Sequence, residues 1–310
     1  MWDMGLLVIL SAFSFALGAC VASFLNVVIW RVPRGESIVS PPSHCPKCGT
    51  AIRWHQNVPI LSWLALRGRC ANCRAPISPR YVLVELLGGC LFLAAFYKWG
   101  FVLVGDEPLW CPPVRLVFMW IWISLMIVGS FIDFDHKLLP DFTTVGGMVL
   151  GVAFHGVRSV SAFFVSPSPS AHSLIRSSDY SVSSFLHSAI RSFDYSIIST
   201  SLLGLAFGFG LLWLVRFLGS KAFGREAMGM GDVFLMGAVG ALFGPVAVLV
   251  TLILSSLVGS VVGLSMVALA KTRLGRFVEI PYGPYICLGC LVWMFWGPEL
   301  VSGYLRLLGF

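Results

Sequence analysis

Long apolar runs separated by short polar stretches organise this chain, and two polar intervals are much longer than the rest. Crossing the hydrocarbon core of a bilayer takes a helix of about 20 predominantly apolar residues. Runs of this kind fall near 5–29, 82–97, 114–132, 142–157, 197–217, 232–244, 246–270 and 283–297, the sixth short enough to be a half-span or re-entrant piece. A helix satisfies its own backbone hydrogen bonds, which hydrocarbon demands. The pattern therefore predicts an all-α polytopic membrane protein of about eight transmembrane helices. The two long polar intervals divide it further: a first transmembrane helix at 1–30, a small cysteine-rich loop domain at 31–81, and a transmembrane core over 82–310 that carries a serine-rich loop at about 158–196.

Composition narrows the class. With 57% hydrophobic and 11% charged residues and a mean hydropathy of +0.88, the chain is neither a soluble enzyme, a disordered or collagen-like chain, nor a small disulfide scaffold. The formal charge of +7 is concentrated. Arg31, Arg34, Lys47, Arg53, Arg67, Arg69, Arg74 and Arg80 stand against Glu36 alone, so the interval 31–80 carries an excess as large as the whole chain's. A basic loop beside a span marks the cytoplasmic side. No recognition motif accompanies the charge, so nucleic acid is not an expected partner; the bilayer is.

An external N-terminus places loops 31–80, 133–141, 218–231 and 271–282 inside, and with Arg216 these hold 15 of the 21 Lys and Arg. Leu17-Gly18-Ala19-Cys20 resembles a lipoprotein cleavage site. However, no Lys or Arg precedes Arg31 and the first charge is Asp3, so the first run is expected to stay as a helix and not to be removed as a signal peptide. In the serine-rich interval, 172–184 and 187–199 match at nine of 13 positions. Two copies are too few for a solenoid, so this reads as an expanded external loop. His172 and His187 read as residues carried along by the duplication.

Cys45 and Cys48, then Cys70 and Cys73, form two CxxC pairs separated by 21 residues. Zn²⁺ takes four thiolates in a tetrahedron, and a CxxC turn delivers two of them. A cytoplasmic location disfavours disulfides, and a basic loop of about 50 residues has too little core to fold without metal. Four cysteine ligands leave no open position, so the expected zinc is structural. Cys20, Cys90, Cys287 and Cys290 lie in apolar runs and read as packing.

Carboxylates at membrane depth point to function. Phe131-Ile132-Asp133-Phe134-Asp135 through Asp141 closes the third run, and Gly229-Met230-Gly231-Asp232 opens the sixth. Two juxtaposed carboxylates titrate as a coupled pair. The ionised member takes a proton from water while the neutral one polarises a carbonyl, which is aspartic-peptidase chemistry. Gly229 and Gly231 would let a substrate backbone approach. Asp133 and Asp232 are the candidate catalytic residues; Asp135 and Asp141 read as helix-end acids. A proton- or cation-coupled transporter using the Asp pair is the competing function, and it leaves the cysteine pairs unexplained.

Five segments in order resemble the bacterial type IV prepilin peptidases, bifunctional leader peptidase/N-methyltransferases of pilus and type II secretion systems. They are GACVASFLNVVIWRVP (18–33), the cysteine segment 45–85, FIDFDHKLLPD (131–141), GMGD (229–232) as the GxGD motif, and IPYGPY (280–285). The resemblance implies catalytic aspartates at Asp133 and Asp232 and zinc on Cys45, Cys48, Cys70 and Cys73. It implies an inner-membrane enzyme, with the aspartates and cysteine module on the cytoplasmic side. The substrates would be prepilins or pseudopilins, cleaved after a Gly that ends a short basic leader. N-methylation by S-adenosylmethionine would follow. The residues themselves speak only weakly for that second activity: no GxGxG loop occurs, and Glu85 is a candidate by position alone. Presenilin-type GxGD proteases share the Asp chemistry but lack the cysteine module.

Overall fold

A computed structural model describes residues 4–100, 111–165, 198–226, 228–269 and 281–308. The chain divides into two compact units, Met1–His136 and Lys137–Phe310. The described residues are helical apart from loops and two isolated bridges.

The first unit consists of α1 (Met4–Arg31), α2 (Leu61–Ala65), α3 (Arg80–Ala95, continued by a π-helical turn Phe96–Gly100) and α4 (Cys111–His136). Two short 3₁₀ turns, Val32–Arg34 and Trp54–Gln56, lie in the loop domain between α1 and α3. Helices in lipid gain no hydrophobic drive from each other and associate where small residues let backbones approach. Here Gly18 and Ala22 of α1 meet Gly88 of α3: a Cβ on Gly18 would lie 2.6 Å from the Gly88 carbonyl, and one on Gly88 would lie 2.5 Å from Ala22 Cβ. The α3–α4 contact is aromatic. Phe92 and Trp120 stack with centroids 5.2 Å apart, and Trp120 Nε1 donates to the Phe92 carbonyl at 3.1 Å.

The second unit holds α5 (Asp141–Val165), α6 (Ile198–Phe223), α7 (Met230–Leu269) and α8 (Gly283–Leu307). Its axis is α7, which packs on α5, α6 and α8. Val233, Leu235, Met236, Ala238, Val239, Ala241, Leu242, Ala247 and Val248 of α7 are wholly buried. The α6–α7 seam is again built on glycine: a methyl on Gly204 or Gly240 would collide with the other's carbonyl, and one on Gly208 with the carbonyl of Met236.

α7 is broken. Gly244 has φ 82° and ψ 179°, a conformation only glycine adopts without strain. Pro245 follows, and proline removes the N–H that would have bonded the carbonyl four residues back, that of Ala241. Ser201 of α6 replaces that donor, its hydroxyl reaching Ala241 O at 2.7 Å. His155 of α5 sits fully buried with Nε2 3.2 Å from Leu242 O. Neighbouring side chains thus satisfy carbonyls at the break, the condition for a Pro interruption at membrane depth.

Among the described residues, six helices are long and apolar enough to cross a membrane: Met4–Arg34, Arg80–Gly100, Pro113–His136, Ser199–Ala222, Met230–Met266 and Gly283–Leu307. The difference from the expected eight has two sources. The runs at 232–244 and 246–270 are two helices that meet at a kink at Gly244, where the sequence placed their boundary, and together they make one of the six stretches. The run at 142–157 is a helix but is not among the six; it continues to Val165, past the expected start of the serine-rich loop. The duplicated segment up to residue 197, with His172 and His187, lies outside the described residues.

Ser201→Ala leaves the Ala241 carbonyl buried without its replacement donor, a loss of about 1–3 kcal/mol. Thermal unfolding of the detergent-solubilised protein is expected to fall by several degrees, whereas Ser201→Thr, which keeps the hydroxyl, stays close to the parent.

Candidate active site and metal centre

The four predicted thiols converge. Their sulfurs all lie within 4.8 Å of one another, with Cys45 Sγ 3.8 Å from Cys73 Sγ and Cys48 Sγ 4.0 Å from Cys70 Sγ. None of them is in a disulfide. Zn–S bonds of about 2.3 Å in a tetrahedron put sulfurs about 3.8 Å apart, so the donor set and its spacing fit zinc.

Two similar turns build the cluster. In the first, Gly49 N donates to Cys45 O at 2.8 Å and Cys45 N to Thr50 O at 2.9 Å. In the second, Arg74 N donates to Cys70 O at 3.1 Å and Cys70 N to Ala75 O at 2.8 Å. Each turn needs a left-handed residue just after its second cysteine, Gly49 at φ 68° and Arg74 at φ 59°. Each is closed by a bridge, His44 to Ala51 and Arg69 to Pro76. Asn72 of the second turn reaches across, donating to Thr50 Oγ1 at 2.9 Å and to Cys48 Sγ at 3.7 Å. The Thr50 hydroxyl, then its backbone N–H, lowers the Cys48 thiol to about 6. Cys70 is also lowered, by the backbone N–H groups of Cys73 and Asn72. The Ala75 N–H pulls Cys73 the same way, but desolvation and the surrounding sulfurs outweigh it and push Cys73 up to about 11. Four thiols this close cannot all ionise without a cation, which a divalent metal supplies.

Asp133 lies in the first unit, in the last turns of α4, and is 6% exposed. Asp135, in the same turn, is held by Arg80 at the start of α3 through a two-point ion pair, Nη1 to Oδ1 at 2.9 Å and Nη2 to Oδ2 at 2.6 Å. The Arg80 guanidinium also lies over the Phe131 ring, 5.0 Å from its centroid. A carboxylate at a helix C-terminus opposes the helix dipole, and Arg80 offsets that. Asp141 is exposed in the first turn of α5, the end where an acid is favoured.

Asp232 lies in the second unit, in the first turn of α7, and is 8% exposed. The glycines before it differ in role. Among the described residues, a Cβ on Gly229 would meet only Asp232 Oδ2, at 3.6 Å, so the exposed backbone there lies open beside the carboxylate. A Cβ on Gly231 would lie 2.8 Å from Leu139 Cβ. Gly231 therefore permits the segment that follows Asp133 in the chain to pack on the GMGD turn.

Sequence reasoning missed the partners of two arginines. Arg216 of α6 grips the approach to Asp232: Nε donates to Met228 O at 2.9 Å, Nη2 pairs with Glu226 Oε1 at 3.0 Å, and Nη1 lies 3.7 Å from Met230 Sδ. It lines a cavity of about 250 Å³ with Trp213, Phe217, Ser220 and Glu226. Arg80 and Arg216 entered the sequence reading only as topology charges, and nothing in their spacing names their partners. Glu85, a candidate by position, is buried and accepts the Ile60 N–H on Oε2 at 2.8 Å. Ile60 is held at φ 64°, rare for a β-branched residue.

Residues 16–99 match the bacterial peptidase A24 N-terminal domain, and residues 180–264 match the type IV leader peptidase family. A prepilin leader peptidase/N-methyltransferase of Myxococcus xanthus is 38% identical over 87% of this chain and 66% of its own length. The protein of that name from Xanthomonas campestris pv. campestris is 35% identical over 94% of this chain and 93% of its own. The one from Pseudomonas aeruginosa is 30% identical over 95% and 93%. No solved structure matches. Identity at this level, running nearly end to end through both the cysteine module and the GMGD turn, makes the chain a member of the type IV leader peptidase family.

Proposed function

We propose that this chain is a membrane aspartic endopeptidase that cuts the basic leader from prepilins or pseudopilins after a Gly, with Asp133 and Asp232 as its catalytic pair. The observation that carries the reading is local to the GMGD turn. Asp232 is buried beside the open backbone of Gly229. Leu139, six residues after Asp133 in the chain, packs on Gly231. In this scheme one carboxylate is ionised and draws a proton from a water molecule, which attacks the scissile carbonyl. The other is protonated, polarises that carbonyl and then donates to the leaving amine. Gly229 offers backbone to the extended substrate, and Arg216 fixes the loop that carries it. The substrate's apolar helix lies in the bilayer and its leader in the cytoplasm, the side to which we also assign the cysteine module and the aspartates, in an inner membrane with the N-terminus outside. A transporter or presenilin-type reading leaves the cysteine module without a role, and the relatives' names favour neither.

The four thiolates would hold one zinc ion whose part is structural, because four protein ligands leave no position for water or substrate. The relatives are also named N-methyltransferases, and we extend that activity to this chain. S-adenosylmethionine would supply the methyl group, and the amine freed by cleavage would receive it. The pilus or type II secretion machinery would take up the product.

Asp133→Asn and Asp232→Asn are each expected to lower leader cleavage by about 10²–10⁴-fold, because the amide keeps the shape and loses the proton relay. Incubation with a prepilin in detergent, followed by mass spectrometry, measures this. Normal processing by either variant would remove that residue from the mechanism, while Asp141→Asn is expected to retain most activity. The same assay checks Arg216→Met. With the GMGD approach no longer held at Met228, kcat is expected to fall about tenfold, a change of about 1.4 kcal/mol, and Arg216→Lys, lacking the forked donors, restores little. Elemental analysis of protein purified without chelator should return about one zinc per chain, lost on replacing Cys45 and Cys48 with Ser.

A further inference from the structure

The loop domain is pinned to α3 at an unexpected depth. Glu85 lies five residues beyond Arg80, about 7.5 Å along the helix axis, and inside the membrane-length apolar stretch Arg80–Gly100. Its carboxylate accepts the N–H of Ile60, the residue that opens α2. The start of α2 is therefore held beside a part of α3 that lies within the span. The orientation of α2 is also fixed. Trp63 turns inward, Nε1 donating to Ile77 O at 3.3 Å and its ring crowding Gly68. Leu61 and Leu64, three residues apart and so on one face, turn outward with 65% and 57% exposure. Arg67 and Arg69 follow directly and are exposed.

We propose that α2 lies in the headgroup layer of the leaflet from which the loop domain projects, with Leu61 and Leu64 in the acyl boundary and Arg67 and Arg69 on anionic phosphates. An outward leucine pair followed by two arginines, at the depth of a membrane-embedded carboxylate, matches an anionic lipid surface in both polarity and charge. Arginine stems reach from the acyl boundary to the phosphates by snorkelling. A water-facing helix would have no use for two exposed leucines at that level. The bilayer thus becomes a third support of the metal module, beside its two chain connections, and this holds whatever the catalytic residues prove to be.

The test is a fluorescent amino acid placed at position 64 of the full-length, metal-loaded protein. It is reconstituted in nanodiscs of phosphatidylcholine with phosphatidylglycerol, and metal content confirms that the module is intact. Nitroxide carried on a shallow acyl position should quench the probe at least about twofold, with aqueous iodide having little effect. Removing phosphatidylglycerol, or introducing Arg67→Gln with Arg69→Gln, should weaken the lipid quench. Full iodide quenching with no lipid quenching would overturn the proposal. So would protection from both quenchers, which places the face against protein. Protection that appears only with added prepilin, or only at high protein density, assigns the face to substrate or to a second copy and overturns it as well. An unchanged lipid quench without anionic lipid would remove the arginine–phosphate contact.

Discussion

A buried peptide group must find its hydrogen bond inside the protein when the surroundings are hydrocarbon, and this constraint shapes both units. It makes the chain helical and then dictates what happens wherever a helix is interrupted. At Gly244-Pro245 the interruption lies in the best-buried helix of the second unit, and Ser201 supplies the donor that proline lacks. The first unit obeys the same rule at its polar end. Buried Arg31 donates to the carbonyls of Ser37 and Pro41 at 2.8 and 2.7 Å. Asn26 donates to the Tyr81 carbonyl at 3.1 Å, and Glu85 takes the Ile60 N–H. Arg31, Glu85 and Ser201 each serve a main-chain group that regular helix does not satisfy.

That economy explains how so small a loop domain is held. It has no sheet and one single-turn helix, and its apolar residues are largely exposed: Val39 at 85%, Trp54 at 83%. A core of that size cannot offset the entropy of ordering the loop. What remains is cross-linking: four converged sulfurs at one end, and Arg31 and Glu85 tying the loop to α1 and α3 at the other. The cysteine cluster and the buried charges thus do comparable work, each fixing loop backbone that burial alone would leave free.

The parts legible in the sequence are those that chemistry repeats at fixed spacing. Apolar runs placed the long helices, and the CxxC pairs placed four sulfurs that do converge within 4.8 Å. The break in α7 was also visible, because Gly followed by Pro ends an apolar run whether the result is two helices or one bent helix. Not visible was the donor that satisfies the carbonyl freed at the break, Ser201 of α6, 40 residues away. Partners at such separations leave no periodic signal. Arg80 with Asp135, Arg216 with Met228, and Ile60 with Glu85 are each set by how elements pack. The same holds for α5, whose apolar run was read correctly as helix but whose end at Val165 is not marked by any change in hydropathy near 158. The GMGD turn shows both cases at once: two glycines suggest substrate access, yet one leaves open backbone and the other makes room for Leu139.

Arg80 has a consequence for the metal module. It is the first residue of α3 and lies seven residues past Cys73, so the end of the module and the start of the helix are nearly continuous. Its guanidinium grips Asp135 at two points and covers Phe131, the residues on either side of the Ile132–Phe134 stretch that contains Asp133. A forked, charge-assisted contact fixes orientation as well as distance, and at 39% exposure for Arg80 and 27% for Asp135 its value lies more in geometry than in net stability. Disorder introduced at the cysteines therefore has a short route to the backbone around Asp133, through one side chain and without passing through the lipid-embedded seam of α1 and α3. On this view the four-cysteine cluster serves the acid on α4 by keeping the N-terminus of α3 where Arg80 can reach it.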